Sequence, residues 1–449
     1  MTTFNRRDIL RAGGVGAFAT AFANASSPVR LLRSSFPSLE VPAITAPRLL
    51  TIFLRGAHDG VYTVVPTGDP TYTTARPTLQ PATIALPGTT FARLNSAYAD
   101  LMPIFSAGRA AFLHQVGNPN GGRSHFVEMQ VYEGAKTTAP LREDGVIARL
   151  RANGAFGTSS GPVFGASVSQ RMQQLYRGFV PNELMAHVRG ISDYTLGLAP
   201  IADRQRASMA THLSQTPTGP IEPFVDAVGE YVAATEAAIS GITYTHDPVA
   251  FPVNATESTA AMLPNAPIGH TFMSHCEQAL QLLKSAVGCQ AVGIELGAWD
   301  THNDQAVERV PLDAYLAKGI RSLHDAAVAV GMLNLVILVK TEFGRTNIEN
   351  GSLGTDHGVG GLMMAFGPRV TGGVYNCYRT SGLGAQWRAL GTSPTTHTLF
   401  PNACPVATDF RLVYAELFHK LFGIPHGAGS AMGVVIPGWT DTAYLGCFN

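Results

Sequence analysis

Short apolar runs recur along the 449-residue chain, each closing on glycine or a polar loop: Leu49–Leu54, Ala110–Val116, Cys289–Leu296, Leu335–Lys340 and residues 362–367. Helix-like stretches separate them at 96–107, 125–134, 271–287 and 311–330. Apolar runs this short that do not alternate with polar residues suit strands covered on both faces. Strands alternating with helices predict an α/β fold, a mostly parallel central sheet with helices on both faces. Ligands of such sheets bind beyond the carboxyl ends of the strands, so the candidate chemistry belongs in those loops. A last amphipathic helix is expected from its cap at Asp409 to Leu421, stopped by Gly423. Residues 160–265 are less regular, with helical stretches near 202–215 and 222–240, and read as an insertion or cap.

The amino terminus has its own logic. Arg6-Arg7 precedes a mildly apolar, glycine-containing stretch and the small residues Ala23-Asn24-Ala25. That order predicts a twin-arginine signal peptide over 1–25, a proline-bearing linker over 26–47, and a single domain over 48–449. The expectation is a periplasmic or secreted protein that engages the twin-arginine translocation machinery and keeps no membrane span after cleavage. Lysine plus arginine and aspartate plus glutamate number 31 each, so no bulk charge argues for nucleic acid or an acidic membrane. The five cysteines, 276, 289, 377, 404 and 447, match no metal-binding spacing. Cys377 and Cys404 are the pair considered for a disulfide, and Cys289 reads as core.

Five strand-end loops carry reactive side chains. The first holds His58 and Asp59, the second the Gly-Gly-Arg-Ser-His turn ending at His125, and the third Asp300, His302 and Asp304. Glu342 and Arg345 follow the fourth strand, and Asp356 and His357 precede the fifth. Aspartate, glutamate and histidine together suit a divalent cation, zinc or manganese above all. Asp59, Asp300, His302, Glu342, Asp356 and His357 are the candidates to ligate it or to support its ligands. Ser124 stands behind a glycine-rich turn at a helix start, as a nucleophile or as an ordinary N-cap. Arg123 and Arg345 are candidates to hold negative charge on a substrate. Blander readings stand beside these: His114 as a satisfied core histidine, Met363 and Met364 as core, Glu295 as locally paired, and Trp299 as a wall or core residue.

Several of these segments together resemble the exported DUF1501 family: Phe53-Leu-Arg-Gly-Ala-His-Asp-Gly60, Gly122-Arg-Ser-His-Phe126, Trp299-Asp-Thr-His302, Thr341-Glu-Phe-Gly-Arg-Thr346, Gly354-Thr-Asp-His-Gly358 and Thr408-Asp-Phe-Arg-Leu-Val-Tyr-Ala-Glu-Leu417. That family is similar to the alkaline phosphatase and sulfatase superfamily. The resemblance implies an alkaline phosphatase-like fold, with Ser124 at the nucleophile position, Asp300 and His302 in the region of a ligand pair, and His357 as a late metal-binding histidine. It also marks two departures. Thr341-Glu342 stands where the superfamily has Asp-His, and Arg55 where it has a metal-binding aspartate, with Asp59 four residues on. The leading expectation is therefore a metal-dependent hydrolase of phosphate or sulfate esters, acting on a small-molecule or glycan ester. Two alternatives remain open: a non-catalytic protein binding a metal, glycan or partner, and a serine hydrolase that needs no metal.

Overall fold

The computed structural model describes residues 46–137, 144–154, 163–169, 172–178, 184–188, 242, 246–252, 266–285, 288–376 and 402–449. The expected signal segment, nearly all of the linker, most of the expected insertion and both of its helices lie outside those residues.

The elements that build the site are β1 (Arg48–Leu54), β2 (Ala110–Gly117), α1 (His125–Gly134), β3 (Val163–Val168), β4 (Leu184–Val188), α2 (Ala266–Lys284), β5 (Ala291–Leu296), α3 (Gln305–Ala329), β6 (Leu335–Thr341), β7 (Arg345–Glu349), β8 (Thr355–His357), β9 (Gly361–Phe366), β10 (Gly373–Tyr375), β11 (Thr408–Asp409) and α4 (Phe410–Phe422). Among the described residues the main sheet runs β10–β2–β9–β6–β1–β5–β3–β4, with β11 beside β2. All pairings are parallel except those of β9, which runs antiparallel to both β2 and β6.

β1 shows why its sequence is apolar without a break. Leu50, Ile52 and Leu54 join one core cluster, while Leu49 and Phe53 join another. Successive side chains of a strand point to opposite faces, so both faces are covered. Phe272 of α2 and Leu316 and Ile320 of α3 pack on the first. Val131 and Tyr132 of α1, with Val413 and Leu417 of α4, pack on the second. The expected α/β layering is what the chain adopts.

Register decides which loops meet. Leu54 pairs with Leu296 on one side and Thr341 on the other, so Arg55, Gly297 and Glu342 leave the sheet side by side. Gly361 pairs with Val116, which brings the start of the reversed strand and the turn after β2 to the same edge. α3 begins at Gln305, a turn and a half before the expected start, with Pro311 inside it. Its early turns are held by loop contacts that sequence periodicity does not register: Asp304 and Gln305 donate their backbone N–H groups to the carbonyls of Ser352 and Leu353.

The bland readings hold. His114 is buried, with its Nε2 2.8 Å from the Val64 carbonyl, and Met363 and Met364 are core. Cys276, Cys289, Cys404 and Cys447 are buried free thiols. Cys404 therefore takes no part in the disulfide considered for it, and burial pushes its thiol pKa up to about 12. Cys377 lies outside the described residues. No helix among the described residues is long and apolar enough to cross a membrane.

Candidate metal centre

Three imidazoles and one carboxylate converge above the carboxyl ends of β1, β5 and β6. His357 Nε2 lies 3.0 Å from His125 Nε2, 3.0 Å from His302 Nε2 and 3.1 Å from Asp300 Oδ1. His302 Nε2 is also 3.0 Å from Asp300 Oδ1. The donor atoms of His125, Asp300 and His357 all lie within 4.8 Å of one another. His302 is the outer member, because Arg345 Nη1 also approaches its Nε2, at 3.4 Å.

Every one of these rings is held from behind by an acceptor. His125 Nδ1 donates to Glu342 Oε1 at 2.6 Å, His302 Nδ1 to Asp356 Oδ1 at 3.1 Å, and His357 Nδ1 to the Arg123 carbonyl at 2.9 Å. Carboxylate and carbonyl oxygens only accept, so each Nδ1 carries a hydrogen, and in a neutral ring Nε2 keeps its lone pair. Three such nitrogens and a carboxylate oxygen face one another, an arrangement that a shared proton or a bound cation stabilises. Tethering a ring through its far nitrogen is also how proteins orient metal-binding histidines.

The electrostatics agree. Burial would lower the pKa of His125, but hydrogen bonds and charges from Asp300 and Glu342 outweigh it and raise it to about 9. Burial would raise Asp300, yet hydrogen bonds from His125, His357 and Arg345 hold it far below the usual carboxylate range. Tetrahedral zinc, with Zn–N near 2.0–2.1 Å, keeps its ligand atoms about 3.3 Å apart. The spacing here is close to that, and a mixed N/O donor set suits zinc or manganese. The residues present fit such a cation.

The local sequence explains how the loop after β6 reaches this point. A Cβ on Gly344 would stand 1.8 Å from the Gly360 carbonyl, and one on Gly354 would stand 2.2 Å from the His302 carbonyl. Only glycine permits those approaches. β7 pairs with β8 through Arg345 and His357, so the segment folds back and delivers Asp356 and His357 beside His302.

Not every expected residue arrives as a ligand. Asp59 is fully buried and engaged elsewhere. It takes Arg76 at 2.6 Å and Gln305 at 2.7 Å on Oδ2, and the backbone N–H groups of Val61 and Tyr62 on Oδ1. Asp59 is corrected from ligand to structural anion. Glu342 takes the supporting role of the two expected for it, because its carboxylate lies behind His125 and also accepts from the Gly56 N–H at 2.8 Å. Asp356 supports His302 in the same manner. Arg345 is not available for a substrate anion. It donates to the carbonyls of Ala57, Gly56, Trp299 and Thr355 and to Asp300 Oδ1, tying three loops together. Three of the carbonyls it gathers flank or belong to residues strained into positive φ, Ala57 at 63° and Ala298 at 71°.

Arg55 pairs with Glu133 and Glu295. The structure thus shows one convergent donor cluster among the described residues rather than the two of a paired-metal site. Ser124 is the exposed N-cap residue of α1, its carbonyl accepting from the Glu128 N–H at 2.9 Å, but its hydroxyl makes no cap bond. Its neighbours Arg123 and His125 both touch the cluster, the former through its carbonyl. Arg123 is half-buried, and burial lowers its pKa while the charge of Asp356 raises it. His125 is the cluster residue that sequence reasoning passed over. Ser124 beside it carried the stronger local signal, although a third imidazole at a strand-end loop was there to be counted.

The profile of DUF1501, a family of proteins of unknown function, matches residues 46–385. The chain belongs to the DUF1501 family. No curated protein matches it. Among solved structures, this DUF1501 protein is similar to the PsFucS1 sulfatase from Pseudoalteromonas sp. at 14% identity and a TM-score of 0.30, covering 83% of this chain and 68% of that one. It is similar to a putative sulfatase from Bacteroides thetaiotaomicron at 10% identity and a TM-score of 0.37, covering 89% and 76%. A TAB5 alkaline phosphatase mutant with Mg bound follows at 10% identity and a TM-score of 0.31, covering 74% and 94%. Likenesses this distant carry no argument about a reaction, and the case for one rests on the site.

Proposed function

We propose that this DUF1501 protein is a metal-dependent hydrolase of phosphate or sulfate esters. We further propose that it works in the periplasm or outside the cell after export through its twin-arginine signal. One observation carries the reading: His357 Nε2 lies 3.0–3.1 Å from His125 Nε2, His302 Nε2 and Asp300 Oδ1, each ring pinned through its other nitrogen. His125, His357 and Asp300 would hold a single zinc or manganese ion, with His302 alongside. Such a cation supplies Lewis-acid polarisation of an ester oxygen.

The chain's own part is positioning and attack. Ser124 Oγ, exposed between two residues that touch the cluster, forms the new bond to phosphorus or sulfur as the alcohol oxygen departs and takes up a proton. Water then releases the acid and restores the serine. Glu342, Asp356 and the Arg123 carbonyl keep the rings aimed. A second reading draws on a specific feature: Arg345 and Asp59, both expected at the reaction, are committed to holding the fold, which suits a protein that binds without turnover.

The test is metal analysis of the purified full chain with hydrolysis of p-nitrophenyl phosphate and sulfate. The expected result is one zinc or manganese per chain and activity that Ser124→Ala reduces by roughly 1,000-fold. Full metal content without turnover of any ester identifies the binder. Activity indifferent to chelators identifies a serine hydrolase.

A further inference from the structure

We infer that Phe126 and Val127 form the specificity surface of this centre, and that its ester is built on an alcohol bearing an aromatic ring or hydrocarbon chain. The inference rests on the reading of the site as a metal-dependent ester hydrolase and names the substrate class it would take.

Phe126 is 80% exposed and Val127 44%, on the first turn of α1 directly after the cluster residue His125. The rest of that helix behaves as an amphipathic helix should. Val131, Tyr132 and the following Ala135 are buried against the second core, and Met129 packs partly against it. Val127 is one helical turn before Val131, so it continues the inward-facing stripe past the edge of the sheet, where no core remains to meet it. Phe126 stands on the same overhanging turn, its Cα about 3.8 Å from that of His125.

The polar centre alongside is open to solvent, with the side chains of Asp300 and Asp356 46% and 58% exposed. The exposed turn is joined directly to His125, so a ligand whose anionic head reaches that centre has these two side chains next along the chain from a cluster residue. The other aromatic ring at the cluster, Phe343, is 2% exposed beneath His125 and His357 and offers no surface to a ligand. Burying apolar surface is favourable in proportion to its area, so these two side chains reward an apolar group on the ester and do nothing for a small hydrophilic one.

The experiment compares methylphosphonate with benzylphosphonate by calorimetry on the zinc-loaded full chain, two anions that differ in the apolar group. Benzylphosphonate should bind about tenfold more tightly, and Phe126→Ala should remove that preference while leaving methylphosphonate within about twofold. Leu333→Ala, at a residue 54% exposed before β6 on the opposite edge of the sheet, should change neither affinity. Equal binding of the two anions, or a preference that survives Phe126→Ala with Val127→Ser, overturns the inference and leaves the metal reading in place. If neither anion binds the zinc-loaded chain, the metal reading falls and takes the inference with it.

Discussion

Two charged clusters sit at the same sheet edge, and they are built on opposite terms. In the first, Asp59, Arg76, Gln305, Arg309 and Asp313 are all 0–1% exposed. Arg76 pairs with Asp59 at 2.6 Å and Arg309 with Asp313 at 2.7 Å, while Gln305, Tyr98 and Thr63 take up further valences. Donors there face acceptors throughout. In the second, His125, His302, His357 and Asp300 are half-open, and acceptors face acceptors. Density of charge is the same kind of signal in both. What separates a fixed internal brace from a receptive centre is whether the atoms satisfy one another.

Removing a central ring from the open cluster should have the largest consequence. His357→Ala should cut zinc affinity by roughly 1,000-fold, measured by competitive titration, with the unfolding midpoint of the metal-free chain little changed. A midpoint that drops steeply would mean the rings brace the fold, and the contrast would fail.

The closed cluster should respond in the reverse sense. Asp59→Asn leaves Arg76 buried without its counter-ion, at a cost of about 3–5 kcal/mol in urea unfolding, while zinc affinity of the folded protein is unchanged. A loss of zinc without a loss of stability would restore Asp59 to the site.

A milder change should sharpen the division. Glu342→Gln keeps the shape but weakens the hold on His125, and should lower zinc affinity about 10–100-fold. No effect would mean that His125 is oriented by its neighbours alone.

Smallest is an effect of pH. Burial pushes the Asp59 carboxyl up, but the Arg76 and Arg309 guanidiniums outweigh it and hold its pKa down to about 2. A carboxyl depressed in the folded state stabilises it above the unfolded pKa and stops doing so as pH falls through the folded one. The brace should therefore contribute fully above about pH 4 and lose roughly 2 kcal/mol on the way down to pH 2. An acid limb of the same steepness in Asp59→Asn would contradict that.

The same division explains what could be seen in the chain beforehand. The strands were legible because a strand covered on both faces must be apolar throughout, and α1 because a glycine-rich turn opens it. The meeting of Asp300, His302 and His357 was legible because the loops at strand ends gather at one edge of the sheet. Asp59 and Arg345 were misassigned because their partners are not local. Arg76 lies 17 positions from Asp59 in an irregular segment, and Arg345 gathers the Gly56 carbonyl from 289 positions away. A carboxylate in a loop looks the same on paper whether a guanidinium or a cation will meet it. His125 was passed over for a related reason, since only folding shows which of two adjacent side chains turns inward.

The reversed strand β9 has one further implication. Because it returns beside β6, the stretch from Glu342 to Gly360 leaves the sheet and re-enters it between adjacent stems. Its length can change without disturbing the order of any other strand. One covalent excursion holds the rearward support for His125, the hub of three loops, the prop for His302 and the innermost imidazole. A single insertion or deletion there could rewrite what the protein grips while the scaffold beneath stayed as it is.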